Sequence, residues 1–257
     1  RGYRMDTRWA HLPTRERAVT EPPIRARVDA GDMAVEAGSF AVRADVEGRW
    51  VSLRLGYQHF LRALDGAVFC KTGKSLEPCP PDVARHVERL VKRAAGMLAQ
   101  EIRAGRPASI SSSGGLETPH LVDRLDTLAA WNASDASRDR DLYSQAYFER
   151  VEILPPDRLG DVVLLPASGC PNGRCTFCAF YRDRQFRVLS LCEFAEHLQH
   201  VKRLFGKALS ARRGVFLGSA SALSVPVRSL VPLLELTRAI LGTLANNMAA
   251  FHDPDHT

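Results

Sequence analysis

Three of the six cysteines in this chain lie within nine residues: Cys170, Cys175 and Cys178, spaced C-x4-C-x2-C. Three sulfurs so close in sequence converge on one point only if the backbone between them turns tightly. Pro171, Asn172 and Gly173 supply that turn chemistry. Thiolates are soft ligands that select iron–sulfur clusters, zinc or copper(I). Three donors from one loop leave a fourth position open, as a catalytic metal site does and a closed structural site does not. Backbone N–H groups around such a loop also tune a cluster by hydrogen-bonding its sulfurs.

Composition agrees with metal chemistry in a reducing compartment. Six cysteines in 257 residues are too sparse for a disulfide scaffold, so a cytoplasmic protein is expected. With 45% hydrophobic and 25% charged residues the chain reads as globular, which excludes collagen-like, coiled-coil and wholly disordered folds. No run approaches the ~20 apolar residues of a membrane span. The opening Arg1-Gly2-Tyr3-Arg4-Met5 starts no apolar signal core. Thirty-five Lys and Arg against 29 Asp and Glu give +6, spread along the chain, which predicts no nucleic-acid partner.

Two other ligand sets stay open at this point. A structural zinc site needs a fourth donor, for which Cys192, His197 and His200 are candidates. A plant-type [2Fe-2S] site shares the spacing and needs one more cysteine, and downstream only Cys192 offers it.

Hydrophobic patterning divides the chain into a loose lead-in (1–26), an α+β segment (27–150) and an α/β segment (151–257). Between Met33 and Tyr57, alternating runs such as Ala41-Val42-Arg43-Ala44-Asp45-Val46 and Trp50-Val51-Ser52-Leu53-Arg54-Leu55 predict two or three small antiparallel strands. Pro80-Pro81 opens a helix running to about Arg103, with Val83, Val87, Leu90, Val91 and Ala94 on one face. Ser111-Ser112-Ser113-Gly114-Gly115 reads as a linker, and helices are expected near 120–131 and 141–151.

After Pro155-Pro156 the pattern changes. Asp161-Val162-Val163-Leu164-Leu165 and Gly214-Val215-Phe216-Leu217-Gly218 are unbroken apolar runs, the signature of strands buried on both faces. Between them, Ser190-Leu191-Cys192-Glu193 reads as a capping box that opens a helix ending at Gly206. A further helix, from about Ser229 to Leu241 with Pro232 in its first turn, precedes a third strand at Met248-Ala249-Ala250-Phe251. The order βαβαβ predicts a parallel sheet.

The cysteine loop and the residues after it, Ala179-Phe180-Tyr181-Arg182-Asp183-Arg184-Gln185-Phe186-Arg187, resemble the radical S-adenosylmethionine superfamily. The resemblance is to a bacterial branch whose cysteine loop is one residue longer than the usual C-x3-C-x2-C. The stretch Val215-Phe216-Leu217-Gly218-Ser219-Ala220-Ser221-Ala222-Leu223 is similar to that branch's second strand segment. The likeness covers about residues 150–257, and residues 1–150 resemble the branch's N-terminal extension.

What the resemblance implies is an α/β fold: a partial βα barrel of parallel strands preceded by a small α+β N-terminal domain. Cys170, Cys175 and Cys178 would hold three irons of a [4Fe-4S] cluster, and the fourth iron would chelate the amino and carboxylate groups of S-adenosylmethionine. An electron from a reductant such as flavodoxin or ferredoxin would cleave that ligand to methionine and a 5′-deoxyadenosyl radical. The radical would abstract hydrogen from a small-molecule or macromolecular substrate. Phe177 would pack by the adenine or the cluster. Gly218, Ser219, Ala220 and Ser221 would stand where the family carries a Gly-Gly-Glu-like motif against the methionine amino group, here without the acid.

Length and the remaining polar clusters complete the reading. The chain ends at residue 257, 79 residues after Cys178. A six-strand partial barrel needs roughly twice that, at about 30 residues per βα unit. The expectation is therefore a fragment, a barrel cut off beside its third strand. Arg182, Arg184 and Arg187 are candidates to balance cluster charge or to pair with a carboxylate, against the simpler reading of a solvated basic loop. His252-Asp253-Pro254-Asp255-His256 reads as an exposed strand-end loop or as a ligand contact, and Cys70 and Cys79 as unrelated thiols.

Overall fold

A computed structural model describes residues 23–112, 115–173, 178, 180–218 and 221–252. The chain divides into two units, Arg1–Arg140 and Asp141–Thr257, and each has its own logic.

In the first unit, the antiparallel meander continues well past Tyr57. Seven strands follow one another: β1 (Ile24–Val28), β2 (Asp32–Ala37), β3 (Phe40–Asp45), β4 (Trp50–Leu55), β5 (Gln58–Arg62), β6 (Val68–Thr72) and β7 (Ser75–Pro78). Each pairs antiparallel with the next. Two-residue turns led by Gly38, Gly56 and Gly73, all at positive φ, join three of these hairpins and match their twist. The alternation puts Ile24, Ala26 and Val28 inward on β1 and Arg25 and Arg27 outward. After α1 (Pro81–Arg103), β8 (Ala108–Ser111) pairs parallel with β1, so the sheet runs β7-β6-β5-β4-β3-β2-β1-β8.

α1 and α2 (Thr118–Ala130) lay apolar stripes into one shared core with the buried side of this sheet. Val83, Val87, Val91 and Leu98 come from α1, Leu121, Leu125 and Leu128 from α2, and Val35, Val42, Leu53 and Phe60 from the strands. α3 (Ala133–Ala146) brings Asp139 between two buried guanidinium groups. Its carboxylate accepts from Arg49 at 3.1 Å and from Arg62 at 2.7 Å. Arg49 also donates to Asp45 at 2.6 Å, and Arg62 lies over the Trp131 ring. All four charged side chains are more than nine-tenths buried. Burial holds the Asp45 carboxyl above its ordinary range despite Arg49 beside it.

This architecture corrects the expected fold class. Instead of a cut-off barrel of parallel strands behind a small α+β domain, the main sheet is an open, eight-stranded, mostly antiparallel one. Five α-helices accompany the sheets among the described residues. The physical reason lies in strand continuity: β5, β6 and β7 extend the meander beyond the two or three strands expected. Ser111, expected in a linker, ends β8.

The second unit contains β9 (Val162–Leu164), then β10 (Ala167–Ser168) and β11 (Arg187–Val188), which pair antiparallel with each other. α4 (Leu191–Phe205), β12 (Val215–Leu217), α5 (Val227–Leu241) and β13 (Met248–Ala250) follow. β9, β12 and β13 form a three-stranded parallel sheet in the order β13-β12-β9, and it does not close. β9 and β12 are buried throughout, which is why each reads as an unbroken apolar run.

α4 starts as its sequence dictates. The Ser190 hydroxyl accepts from the Glu193 N–H at 3.3 Å, while the Glu193 carboxylate accepts from the Ser190 N–H at 2.8 Å. That return bond, with Arg187 beside it, holds the Glu193 carboxyl down to about 2. Two helix boundaries differ from expectation. The helix expected near 141–151 is α3, which ends at Ala146, and α5 begins at Val227, so Pro232 sits inside it. His197 on α4 is buried and doubly bonded: its Nε2 accepts from the Leu165 N–H at 2.9 Å and its Nδ1 donates to the Ala146 carbonyl at 2.8 Å. Burial pushes this imidazole down to about 4, so it is neutral at ordinary pH. No described helix is long and apolar enough to cross a membrane.

Candidate metal centre

The cysteine loop begins five residues after β9 ends at Leu164, a position beyond the carboxyl end of a parallel strand where α/β sheets hold ligands. Residues 169–186 leave and return through the β10–β11 ladder, in which Ala167 faces Val188 and Ser168 faces Arg187. Gly169 sits at the neck with φ +68°, and a Cβ there would lie 2.8 Å from the Gln185 carbonyl oxygen. The outgoing and returning backbones therefore touch, and only glycine fits between them.

Above this neck the loop brings Cys170 and Cys178 to one hollow, lined also by Gly173, Tyr181 and Arg182. The hollow is small, about 20 Å³, and open to solvent. Both thiols are free and half-buried. Tyr181 forms a buried wall, its hydroxyl pushed up to about 12 by burial and then by the nearby Glu149 carboxylate. Two sulfurs suit a soft metal better than a hard, oxygen-bound cation. Two thiols are soft donors, the class of ligand that iron–sulfur groups and zinc share. Cys175 and Phe177 lie outside the described residues. Among the described residues no group of three or more His, Cys, Asp or Glu side chains stands placed to hold a metal.

The alternative fourth donors are not brought to the hollow. Cys192 is exposed on α4, both ring nitrogens of His197 are bonded to backbone, and His200 Nδ1 faces the Gln145 carbonyl at 3.0 Å. Nor do the described residues of the second-strand motif line it. Gly218 follows β12, donates its N–H to the Leu164 carbonyl at 2.6 Å, and would place a Cβ 2.6 Å from Val163 Cγ1. Close packing against β9 accounts for that glycine. Ser221 is buried and accepts from the Ser224 hydroxyl at 2.8 Å. Ser219 and Ala220 lie outside the described residues, as do Asp253, Pro254, Asp255 and His256.

The three arginines have separate fates. Arg182 lines the hollow. Arg184 donates to Glu152 at 2.6 Å, approaches Glu149 at 3.9 Å and stacks over the Tyr181 ring at 5.4 Å from its centroid. Arg187 is exposed and pairs with Glu193 at 2.7 Å. In the first unit, Cys70 is buried on β6 and Cys79 follows β7, its thiol pushed up to about 11 by burial and then by Cys70.

Glu149 and Ser168 are the residues that sequence reasoning missed. The Ser168 hydroxyl donates to Glu149 Oε2 at 2.6 Å, and the Glu149 side chain is only 6% exposed. Glu149 lies in a stretch expected to be helical, where a lone glutamate carries no signal. No protein-family model, curated protein or solved structure matches this chain.

Proposed function

We propose that the loop from Cys170 to Cys178 binds a [4Fe-4S] cluster through Cys170, Cys175 and Cys178, in the manner of radical S-adenosylmethionine proteins. Such a cluster would be the group that binds S-adenosylmethionine. The observation that carries this reading is that a loop closed at its neck turns two of the three cysteines into one hollow. When bound and reduced, the cluster supplies the electron that splits the sulfonium ligand. Around it would stand the buried Tyr181 and, at the rim, the exposed Arg182. The reductant in this reading is a flavodoxin- or ferredoxin-type protein, and the substrate is a molecule with an abstractable hydrogen.

A second reading is a non-catalytic metal site, either zinc or an electron-transfer cluster. It is favoured by the structural explanations for Gly218 and Ser221, two of the residues that would otherwise contact the methionine amino group.

Anaerobic reconstitution with iron and sulfide separates the two. The first reading expects a brown protein that forms 5′-deoxyadenosine when reduced with S-adenosylmethionine, and loss of iron in Cys175→Ala. Full iron content in Cys175→Ala removes the ligand assignment. A colourless protein with one tight zinc, or a brown one that never forms 5′-deoxyadenosine, selects the second reading.

A further inference from the structure

Backbone bonds join the two ends of the loop first: next to the ladder, the Leu189 N–H donates to the Pro166 carbonyl at 3.0 Å. The β10–β11 ladder is only two residue pairs long, too short to hold an 18-residue loop by itself. A second fastening comes from outside the loop. Glu149 Oε2 accepts from the Ser168 hydroxyl at 2.6 Å, two residues before Cys170. The same oxygen stands 3.9 Å from the Arg184 guanidinium, six residues after Cys178. Arg184 is in turn fixed by Glu152 at 2.6 Å, by the Arg150 carbonyl at 3.3 Å and by its stack on Tyr181, one of the residues lining the hollow. The carboxylate is 94% buried by the 6% exposure of its side chain, and its Oε1 has no hydrogen-bond partner among the described residues. A charged group kept there without full solvation is costly unless its position does something else.

We propose that Glu149 is a positioning residue for the cysteine loop: one buried carboxylate grips Ser168 on the outgoing arm and Arg184 on the returning arm. It thereby sets the Cys170 and Cys178 thiols at a fixed separation before a metal arrives. This rests on the loop being a metal site. Its consequence is that metal enters a preformed nest instead of ordering a slack loop, so less ordering entropy opposes binding. The carboxylate touches neither thiol and acts only through the two arms and the Tyr181 wall.

The experiment uses the full chain without metal, and a thiol cross-linker of fixed span, dibromobimane, with the Cys170–Cys178 adduct identified by peptide mass. Losing a hydrogen bond to a charged group corresponds to about a tenfold effect. Glu149→Ala should therefore slow formation of that adduct about tenfold. Glu149→Gln keeps an acceptor for Ser168 but loses the charge facing Arg184, and should fall between. Should Glu149→Ala fail to fold by circular dichroism, Arg184→Ala and Ser168→Ala open the same clamp from its two ends. Equal adduct rates in the unaltered protein and in folded variants overturn the proposal.

A second arm reconstitutes each protein with ferrous iron and sulfide and records the electron paramagnetic resonance spectrum after reduction. The clamp predicts broadened, heterogeneous signals in Glu149→Ala, with partial recovery in Glu149→Gln. Superimposable spectra at equal iron content also overturn it. If the unaltered protein takes up no iron while the adduct rates still separate, the metal reading fails and the clamp stands.

Discussion

Replacing His197 with leucine isolates one buried imidazole and gives its contribution a pH signature. The ring bridges the Leu165 N–H and the Ala146 carbonyl, and burial lowers its titration from the ordinary 6.5 to about 4. The unfolded chain therefore binds a proton near pH 6.5 that the folded unit refuses until about 4. The neutral ring's stabilising share is complete above pH 6.5 and is lost as pH falls toward 4. At ~1.4 kcal/mol per tenfold, the loss is about 2 kcal/mol by pH 5 and about 3 kcal/mol below pH 4. His197→Leu keeps most of the apolar volume but leaves a buried donor and a buried acceptor unpaired, a cost of about 2–6 kcal/mol near pH 7.5. Because leucine does not titrate, the gap between the two proteins should shrink by about 2 kcal/mol between pH 7.5 and pH 5.

The assay has to read the right unit. All three tryptophans, Trp9, Trp50 and Trp131, precede residue 141, so indole fluorescence follows only the first unit. Urea unfolding by circular dichroism, with protection of the Leu165 amide against hydrogen exchange as the local probe, reports on the second. A stability gap that stays the same from pH 7.5 to pH 5 would refute the reasoning, because it would mean that the ring does not titrate out of register with the unfolded chain.

Other substitutions test separate parts of the molecule. Asp139→Ala leaves Arg49 and Arg62 as buried charges without their shared partner, and should cost about 3–5 kcal/mol in urea melts read by tryptophan fluorescence. Gly218→Ala drives a Cβ into Val163 and should cost about 1–3 kcal/mol in the second unit, by circular dichroism. Gly169→Ala should slow the Cys170–Cys178 cross-link, since its Cβ would part the two arms at Gln185. Ser190→Ala removes an N-cap and should destabilise α4 by about 1 kcal/mol, visible as faster amide exchange in its first turn.

The readable parts of the sequence were those with a local cause. The α1 stripe, the Ser190–Glu193 capping box and the two unbroken apolar runs of β9 and β12 each stand in a handful of neighbouring residues, and the structure places them as expected. What stayed hidden depends on distant partners. β5 and β6 carry weak alternation because Arg62 and Cys70 occupy inward positions, a buried arginine being tolerable only where Asp139 arrives from 77 residues away, and β7 buries no residue. β8 is short, polar in two of its four residues, and becomes a strand only against β1. At the site, the cysteine spacing announced the loop, but Glu149 acts on it from 21 residues before Cys170 and has no motif of its own.

The meander and β8 also set the order in which the first unit can assemble. Six of its seven strand pairings join sequence neighbours and close over a few residues, so they can zip one after another on the microsecond scale of hairpins. The seventh matches Ile24 with Ala108, a span of 84 residues that must be gathered before its bonds give any return. The slow step of refolding, and the first strand to detach under mild denaturant, should therefore be the same one: β8.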